Sequence, residues 1–311
     1  AGSVLLLLVL ARGWGAPLLP DSTWKPVDAA DPFLRIVAVL GVSVGLPYLI
    51  LSTTSPLLQS WFKFLYPDRT PYTLYALSNF GSFLALISYP VIFEPLLTLK
   101  EQSSLWAWSY VVYAGLCSLL AARVLFTKGE PAPFQAESVL EKAPSVDPSR
   151  PPLSHRLLWV ALPACSSILL LAITNQLSQE VAVIPFLWVL PLSVYLFSFT
   201  IAFSGEKYYR RYISLALLAL ATAGLCYALD RVTSIGIFPQ IVIYAIFLLL
   251  ATLVCHGELY RLRPDPQQLT SFYLMVSLGG AIGGLFVNLA APLIFRGSWE
   301  LHLGVLLCWR L

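Results

Sequence analysis

The sequence predicts an all-α membrane protein that crosses the bilayer many times. Of its 311 residues, 58% are hydrophobic and only 11% are charged, and the mean hydropathy is +0.77. A soluble domain carries about a quarter charged residues, so the charge present here is too little to cover a water-facing surface. The apolar stretches run for about 20 residues without the alternation of membrane β-strands. These observations exclude an ordinary soluble enzyme and favour a helical bundle.

The apolar stretches predict about eight complete and two partial spans, because about 20 helical residues cross the hydrocarbon layer. The partial spans lie near 3–19 and from Leu301 onward. The complete spans lie near 33–58, 72–97, 105–126, 157–174, 182–203, 212–229, 235–255 and 269–295. Because an apolar run begins almost at once and another is cut at Leu311, we expect the chain to be the middle of a longer polypeptide.

A polar segment at 127–155 separates the spans into two sets. It contains six prolines interspersed with Glu and Lys, which is the composition of a flexible linker. The sequence therefore predicts a first membrane bundle in residues 1–126, a linker in 127–155 and a second membrane bundle in 156–311. Two bundles joined by a long cytoplasmic linker are also the layout of major facilitator transporters.

Lys and Arg are distributed unevenly between alternate loops. One set of alternate loops carries 12 of these residues, counting Arg123 at the edge of a loop, whereas the intervening loops carry 4. The loops of the first set are 59–71, 127–156, 204–211 and 256–268. An excess of Lys and Arg marks cytoplasmic loops, so we expect these four loops to face the cytoplasm. The net charge of +3 is too small and too dispersed to indicate nucleic-acid binding.

Polar side chains at membrane depth are candidate substrate-binding residues, since charge is costly there. Glu94 lies between Pro90 and Pro95, which withdraw backbone donors and leave free carbonyls beside the carboxylate. This arrangement suits a cation or an amine. Asn79 lies in mid-span on a small, polar face. The alternatives stay open, because a Glu at a helix end costs little and an Asn in mid-span also serves helix packing.

The polar run 174–180 is a further candidate. It contains Asn175, Gln176 and Glu180 between two strongly apolar spans, on the predicted outer side. Transporters place broken helices and irregular segments of this kind at their binding sites. A short solvated turn explains the same composition, and both interpretations stay open.

Two pairs of glycines lie one helical turn apart: Gly279 with Gly283, and Gly280 with Gly284. Small residues at this spacing let two membrane helices approach closely. The sequence therefore predicts a helix-packing face here.

The sequence predicts no metal site, no cofactor and no catalytic activity for this chain. Its five cysteines lie in or beside apolar runs, with no CxxC and no Cys/His cluster, and they are typical of small buried residues. Its three histidines are scattered, without a paired ligand at helical spacing. Neither a P-loop nor a catalytic triad nor a paired-carboxylate site is found in the sequence.

Short motifs spread over residues 33–300 occur together in this chain. They are 46–59 (LPYLILSTTSPLLQ), 71–82 (PYTLYALSNFGS), Tyr89-Pro90 with Glu94-Pro95, Thr174-Asn175-Gln176, 185–192 (PFLWVLPL), 255–259 (CHGEL) and 272–280 (FYLMVSLGG). Together they resemble the membrane region of the fused major-facilitator/spermidine-synthase-like family of bacteria. The resemblance implies an inner-membrane protein with two further spans before residue 1. It also implies further spans after residue 311, followed by a cytoplasmic Rossmann-like domain for any chemistry on decarboxylated S-adenosylmethionine and polyamines.

The leading hypothesis is a transporter-like membrane domain that moves polyamines or other small cationic metabolites by alternating access between two bundles. The alternative is a non-transporting membrane anchor or an accessory subunit packed against protein partners in a larger membrane complex. The shortage of charge at mid-span favours the alternative, because a proton-coupled carrier is expected to hold ionisable groups there. The lipid bilayer is the expected partner in both cases.

Overall fold

The computed structural model describes residues 32–66, 69, 71–126, 151–180, 187–232, 234–265, 268–295, 297 and 299–311. Within these ranges the chain forms helices and no strand, which confirms the predicted all-α class there. Six of the described helices are long and apolar enough to cross a membrane: Tyr72–Leu96, Leu99–Phe126, Leu153–Ser178, Arg211–Asp230, Ile237–Arg261 and Leu269–Ile294. The predicted partial span near 3–19 and most of the predicted linker lie outside the described residues.

In chain order the α-helices are α1 (Pro32–Leu40), α2 (Leu46–Leu65), α3 (Tyr72–Ser88), α4 (Glu94–Leu96), α5 (Leu99–Phe126), α6 (Leu153–Glu180), α7 (Val189–Phe203), α8 (Arg211–Asp230), α9 (Ile237–Arg261), α10 (Leu269–Leu285), α11 (Ala291–Ile294) and α12 (Trp299–Arg310). Three π-helical turns join successive helices. Gly41–Gly45 joins α1 to α2, Tyr89–Phe93 joins α3 to α4, and Phe286–Ala290 joins α10 to α11. Each pair is therefore one helix with a wide turn in it.

The described residues form two compact units. Unit 1 comprises those in 32–65 and 91–126, and unit 2 comprises those in 66–90 and from 151 to the end. The predicted division placed α3 in the first bundle, whereas its packing places it in unit 2. The reason is aromatic packing: the ring of Tyr75 on α3 lies 5.6 Å and 5.0 Å from the rings of Phe199 and Phe203 on α7.

Unit 2 is built around α6, which packs against α9, α10 and α12. Buried apolar side chains line it from Trp159 to Leu177. α7 packs between α3 and α9, and α8 packs on the other side of α9. Large apolar side chains also cover much of the outer surface of the helices, including Leu220, Phe238 and Leu274. An apolar exterior of this extent fits contact with lipid rather than with water.

Unit 1 contains α1, α2, α4 and α5. The hydroxyl groups of Thr54 on α2 and Tyr113 on α5 form a hydrogen bond. α5 begins with a capping box: the Glu101 carboxylate accepts the backbone N–H of Thr98 at 2.8 Å, and the Thr98 hydroxyl accepts the backbone N–H of Glu101 at 3.4 Å. This local pairing explains why α5 begins at Leu99, six residues before the predicted span.

Two helices that contain a π-helical turn share one pattern. In each, an α-helix of 17 residues is followed by a π-helical turn of 5 residues and then by a short helix with proline in second place. The first copy begins at Tyr72, and the second begins 197 residues later, at Leu269. The prolines of the two short helices, Pro95 and Pro292, are also 197 residues apart. A Pro-Asp pair precedes each copy in the sequence, at 67–68 and 264–265.

Candidate functional site

Glu94 is an exposed residue at the start of α4, directly after the π-helical turn Tyr89–Phe93. The sequence predicts that Pro90 and Pro95 break the helix at this point, and that prediction is wrong. The chain stays helical through Leu96, and the helix ends at Leu97, whose backbone is extended. Turns of the π type are frequent at functional sites. Glu94 thus retains the setting of a cation-binding candidate.

Asn79 is half-buried on α3, and its side-chain Nδ2 donates to the backbone carbonyl of Tyr75 one turn earlier, at 2.8 Å. Tyr75 itself stands among the aromatic rings between α3, α7 and α10. Asn79 therefore satisfies a donor within its own helix, as the packing alternative expects.

The polar run 174–180 is neither a turn nor a broken helix, because α6 continues through it to Glu180. The hydroxyls of Thr174 and Ser178 donate to carbonyls four residues earlier, at 2.7 Å and 2.8 Å, which lets polar residues continue an apolar helix. Asn175 is half-buried and Gln176 is buried. The side chain of Glu180 lies outside the described part of the structure.

The predicted substrate-binding residues belong to different units. Asn79, Asn175 and Gln176 belong to unit 2, and Glu94 belongs to unit 1.

The predicted packing glycines lie on two faces of α10. Gly279 and Gly283 lie directly against α6, where an added Cβ would overlap the carbonyl oxygens of Val160 and Ala164, whereas Gly280 and Gly284 leave ordinary contact distances.

One end of unit 2 carries a cluster of charges that the sequence analysis did not single out. The Tyr209 hydroxyl donates to Glu258 Oε1 at 2.8 Å. The same carboxylate pairs with Arg211 at 3.4 Å and with Arg261 at 3.2 Å. Burial, followed by the adjacent Glu258 carboxylate, raises the pKa of Tyr209 well above its usual value. The cluster joins the segment before α8 to the end of α9.

Gly257 makes this pairing possible, since a Cβ there would lie 2.5 Å from the Tyr209 ring. The charges come from two segments of the chain, 206–211 and 258–263, which the distribution of Lys and Arg had already predicted to face the same side. That shared side is the sequence signal that could have located the cluster.

A pocket of about 260 Å³ lies beside the cluster, lined by Glu206, Tyr209, Tyr260, Arg261 and Arg263. Arg263 donates to Glu206 at 2.8 Å, and its guanidinium lies 3.9 Å from the centre of the Tyr260 ring. Both arginines of the pocket are thus already paired with carboxylates. A charged ligand entering here has to displace one of these partners.

His256 is fully buried on α9, although the sequence placed it at the cytoplasmic end of a span. Its Nδ1 lies 2.9 Å from the Ser198 hydroxyl of α7, and its Nε2 lies 3.3 Å from the Ser166 hydroxyl of α6. The ring also stacks on Phe199, with centroids 3.5 Å apart. Both ring nitrogens are engaged, so His256 ties three helices together.

Three cysteines from three helices meet in the core of unit 2, although the sequence predicts only small buried residues and no metal site. The Sγ atoms of Cys165, Cys255 and Cys308 all lie within 4.8 Å of one another, and all three residues are buried. They are separated by 90 and 53 positions in the sequence, so no local spacing revealed them. Among the described residues they form a group that could hold a metal ion.

Comparisons with protein-family models, with curated proteins and with solved structures found no match to this chain. The family resemblance described above therefore stays a prediction.

Proposed function

We propose that the chain is the transporter-like membrane domain of a fused major-facilitator/spermidine-synthase-like protein of the bacterial inner membrane, and that it moves polyamines or other small cationic metabolites. In this proposal about eight complete spans form two major-facilitator-like bundles. The loops 59–71, 127–156, 204–211 and 256–268 then face the cytoplasm. Any synthase chemistry belongs to a domain outside this chain.

The observation that carries the proposal is the repeat of a helix that contains a π-helical turn. Tyr72–Leu96 and Leu269–Ile294 share the order of α-helix, π-helical turn and short proline-containing helix, with one constant spacing of 197 residues between Tyr72 and Leu269. Many transporters are built from internal repeats, and their substrate sites lie at interrupted helices near the interface between repeats. A simple membrane anchor has no need of such a repeat.

Glu94 is the residue that the repeat favours as a cation contact. It follows the π-helical turn of the first copy directly, and Ala291 occupies the same place in the second copy. The Glu94 carboxylate is exposed, so an amine can reach it without breaking an existing core contact. Hydrogen bonds to a charged group contribute about 1.5–3 kcal/mol, which corresponds to a change of about ten- to hundredfold in affinity.

A second candidate function is a membrane anchor or accessory subunit. The close packing of α6 against α10 and the hydrogen bonds that Asn79, Thr174 and Ser178 make within their own helices favour it. In that case the polar residues stabilise helices and contact no substrate.

Counterflow in proteoliposomes separates the two candidates without knowledge of a coupling ion. Vesicles that contain the purified protein are loaded with unlabelled spermidine and diluted into labelled spermidine. The carrier proposal predicts transient accumulation of label, which Glu94→Gln reduces by about tenfold or more.

Glu101→Gln is the matched control for this experiment. Its carbonyl oxygen can accept the same hydrogen bond from Thr98, so full counterflow is expected. Absence of counterflow by the folded wild-type protein would remove the carrier proposal and leave the anchor. An equal loss in both variants would show that Glu94 has no special role.

A further inference from the structure

We propose that Cys165, Cys255 and Cys308 form a binding site for a soft monovalent metal ion, and that this ion is Cu(I). The three thiols come from α6, α9 and α12 and are 1%, 1% and 6% exposed. Their sulfur atoms all lie within 4.8 Å of one another. The site is independent of the transport proposal.

The spacing of the sulfur atoms fits three-coordinate binding. A metal–sulfur bond of about 2.3 Å places the sulfurs of a flat, threefold site about 4 Å apart. Sγ of Cys255 and Sγ of Cys308 are already 3.9 Å apart. A disulfide would require these two atoms to approach to about 2.05 Å. Metal binding therefore needs less movement of the side chains than oxidation does.

The ligand set favours Cu(I) over Zn(II). Soft thiolate ligands suit both Cu(I) and Zn(II), so the number of ligands decides. Structural zinc takes four protein ligands, and the group found in the described residues has three. His256 is the neighbour of Cys255 in the sequence, but its two nitrogens face the hydroxyls of Ser198 and Ser166. It is therefore committed elsewhere.

Binding of the ion releases protons, because the thiolate is the form of cysteine that binds a metal. Three Cu–S bonds form and three S–H bonds break, and the three released protons pass to the solvent. No change of oxidation state occurs.

Gly304 holds the helices close enough for this site. A Cβ at Gly304 would lie 2.8 Å from Cδ2 of Leu169 on α6, so a larger residue would force that side chain or α12 to shift. The carbonyl of Gly304 accepts the Cys165 S–H at 3.6 Å, and Cys308 follows one turn later on α12. The ion would thus join α6, α9 and α12.

Anaerobic titration of the purified, reduced protein with Cu(I) against a colorimetric Cu(I) chelator tests the proposal. We expect a single Cu(I) per chain, and X-ray absorption should show three sulfur neighbours at about 2.3 Å. Cys255→Ser should lose this Cu(I), while the matched controls Cys117→Ser and Cys226→Ser should retain it. Cys226 is exposed and Cys117 is half-buried, and neither belongs to the group.

Retention of Cu(I) by Cys255→Ser, or its loss from either control, would overturn the assignment. Nitrogen or oxygen neighbours in the wild-type spectrum, or failure of the wild-type protein to compete with the chelator, would do the same. The spectrum of the wild-type protein needs no variant, so the proposal stays falsifiable even where Cys255→Ser fails to fold. Cys165→Ala serves as the second variant and should also lose the ion.

Discussion

Replacement of Gly279 or Gly283 by alanine should separate α6 from α10. The Cβ of an alanine at Gly279 would overlap the carbonyl oxygen of Val160 and lie 3.0 Å from its carbonyl carbon. At Gly283 it would overlap the carbonyl oxygen of Ala164. Because both obstacles are backbone atoms of a helix, no change of side-chain rotamer can relieve the overlap, and the two helices have to move apart.

The size of the effect follows from two opposing contributions. Overpacking a well-packed interface costs about 1–3 kcal/mol, and a gap of about 1 Å between helices loses up to about half of their dispersion attraction. Glycine-to-alanine replacement in a helix contributes about 1 kcal/mol of stability in return. The difference leaves a destabilisation of about 0–2 kcal/mol for Gly279→Ala and Gly283→Ala. We expect values toward the upper end of this range, since α6 and α10 pack extensively against each other.

The same helix supplies the controls. A Cβ at Gly280 would lie 3.5 Å from the Ser167 hydroxyl, and one at Gly284 would lie 4.0 Å from Leu171, so only the gain in helix propensity remains. Gly280→Ala and Gly284→Ala should be neutral or about 1 kcal/mol more stable. Equilibrium unfolding in mixed micelles, followed by circular dichroism, measures all four variants. Equal stability of Gly279→Ala and Gly280→Ala would refute the predicted overlap with the Val160 carbonyl.

Three further predictions concern the end of unit 2. Gly257→Ala should destabilise the protein by about 1–3 kcal/mol, because its Cβ would lie 2.5 Å from the Tyr209 ring; an unchanged unfolding midpoint would contradict this. The folded state holds the pKa of Tyr209 above its unfolded value, so the contribution of Tyr209 to stability is complete below about pH 10 and declines above it. Tyr209→Phe should therefore lose less stability than the wild-type protein as the pH rises above about 10. Identical profiles of stability against pH would contradict this prediction. Trp159→Phe removes the indole N–H that donates to the Leu262 carbonyl at 2.9 Å. The free energy of unfolding should fall by about 1–3 kcal/mol, which thermal unfolding measures. A smaller change would mean that water replaces the donor.

The limits of several helices could be predicted because hydrophobic length sets them. The span predicted at 72–97 is observed as Tyr72–Leu96, and that at 269–295 as Leu269–Ile294. α9 instead continues past the predicted end at Cys255 to Arg261. Its polar end is buried because His256 bonds to Ser198 on α7 and Glu258 bonds to Tyr209 before α8. Partners of that kind cannot be identified from local composition.

The candidate sites were less accessible to prediction. A single residue such as Glu94 can be recognised as a candidate from the sequence alone, because prolines lie on both sides of it. The cysteine group depends on how α6, α9 and α12 pack, and each cysteine alone resembles any small residue of an apolar helix. The π-helical turns were equally hidden, because they depend on the pairing of backbone groups over a whole turn rather than on a residue pattern.

The π-helical turn Tyr89–Phe93 acts as an angular offset between the two parts of its helix. One residue of an α-helix corresponds to about 100° of rotation and 1.5 Å of rise, and a π-turn inserts one residue into the regular ladder. Glu94 therefore points in a direction about 100° away from the one a continuous helix would give it. Deletion of one residue within the turn would swing the carboxylate to another face while leaving Glu94 itself in place.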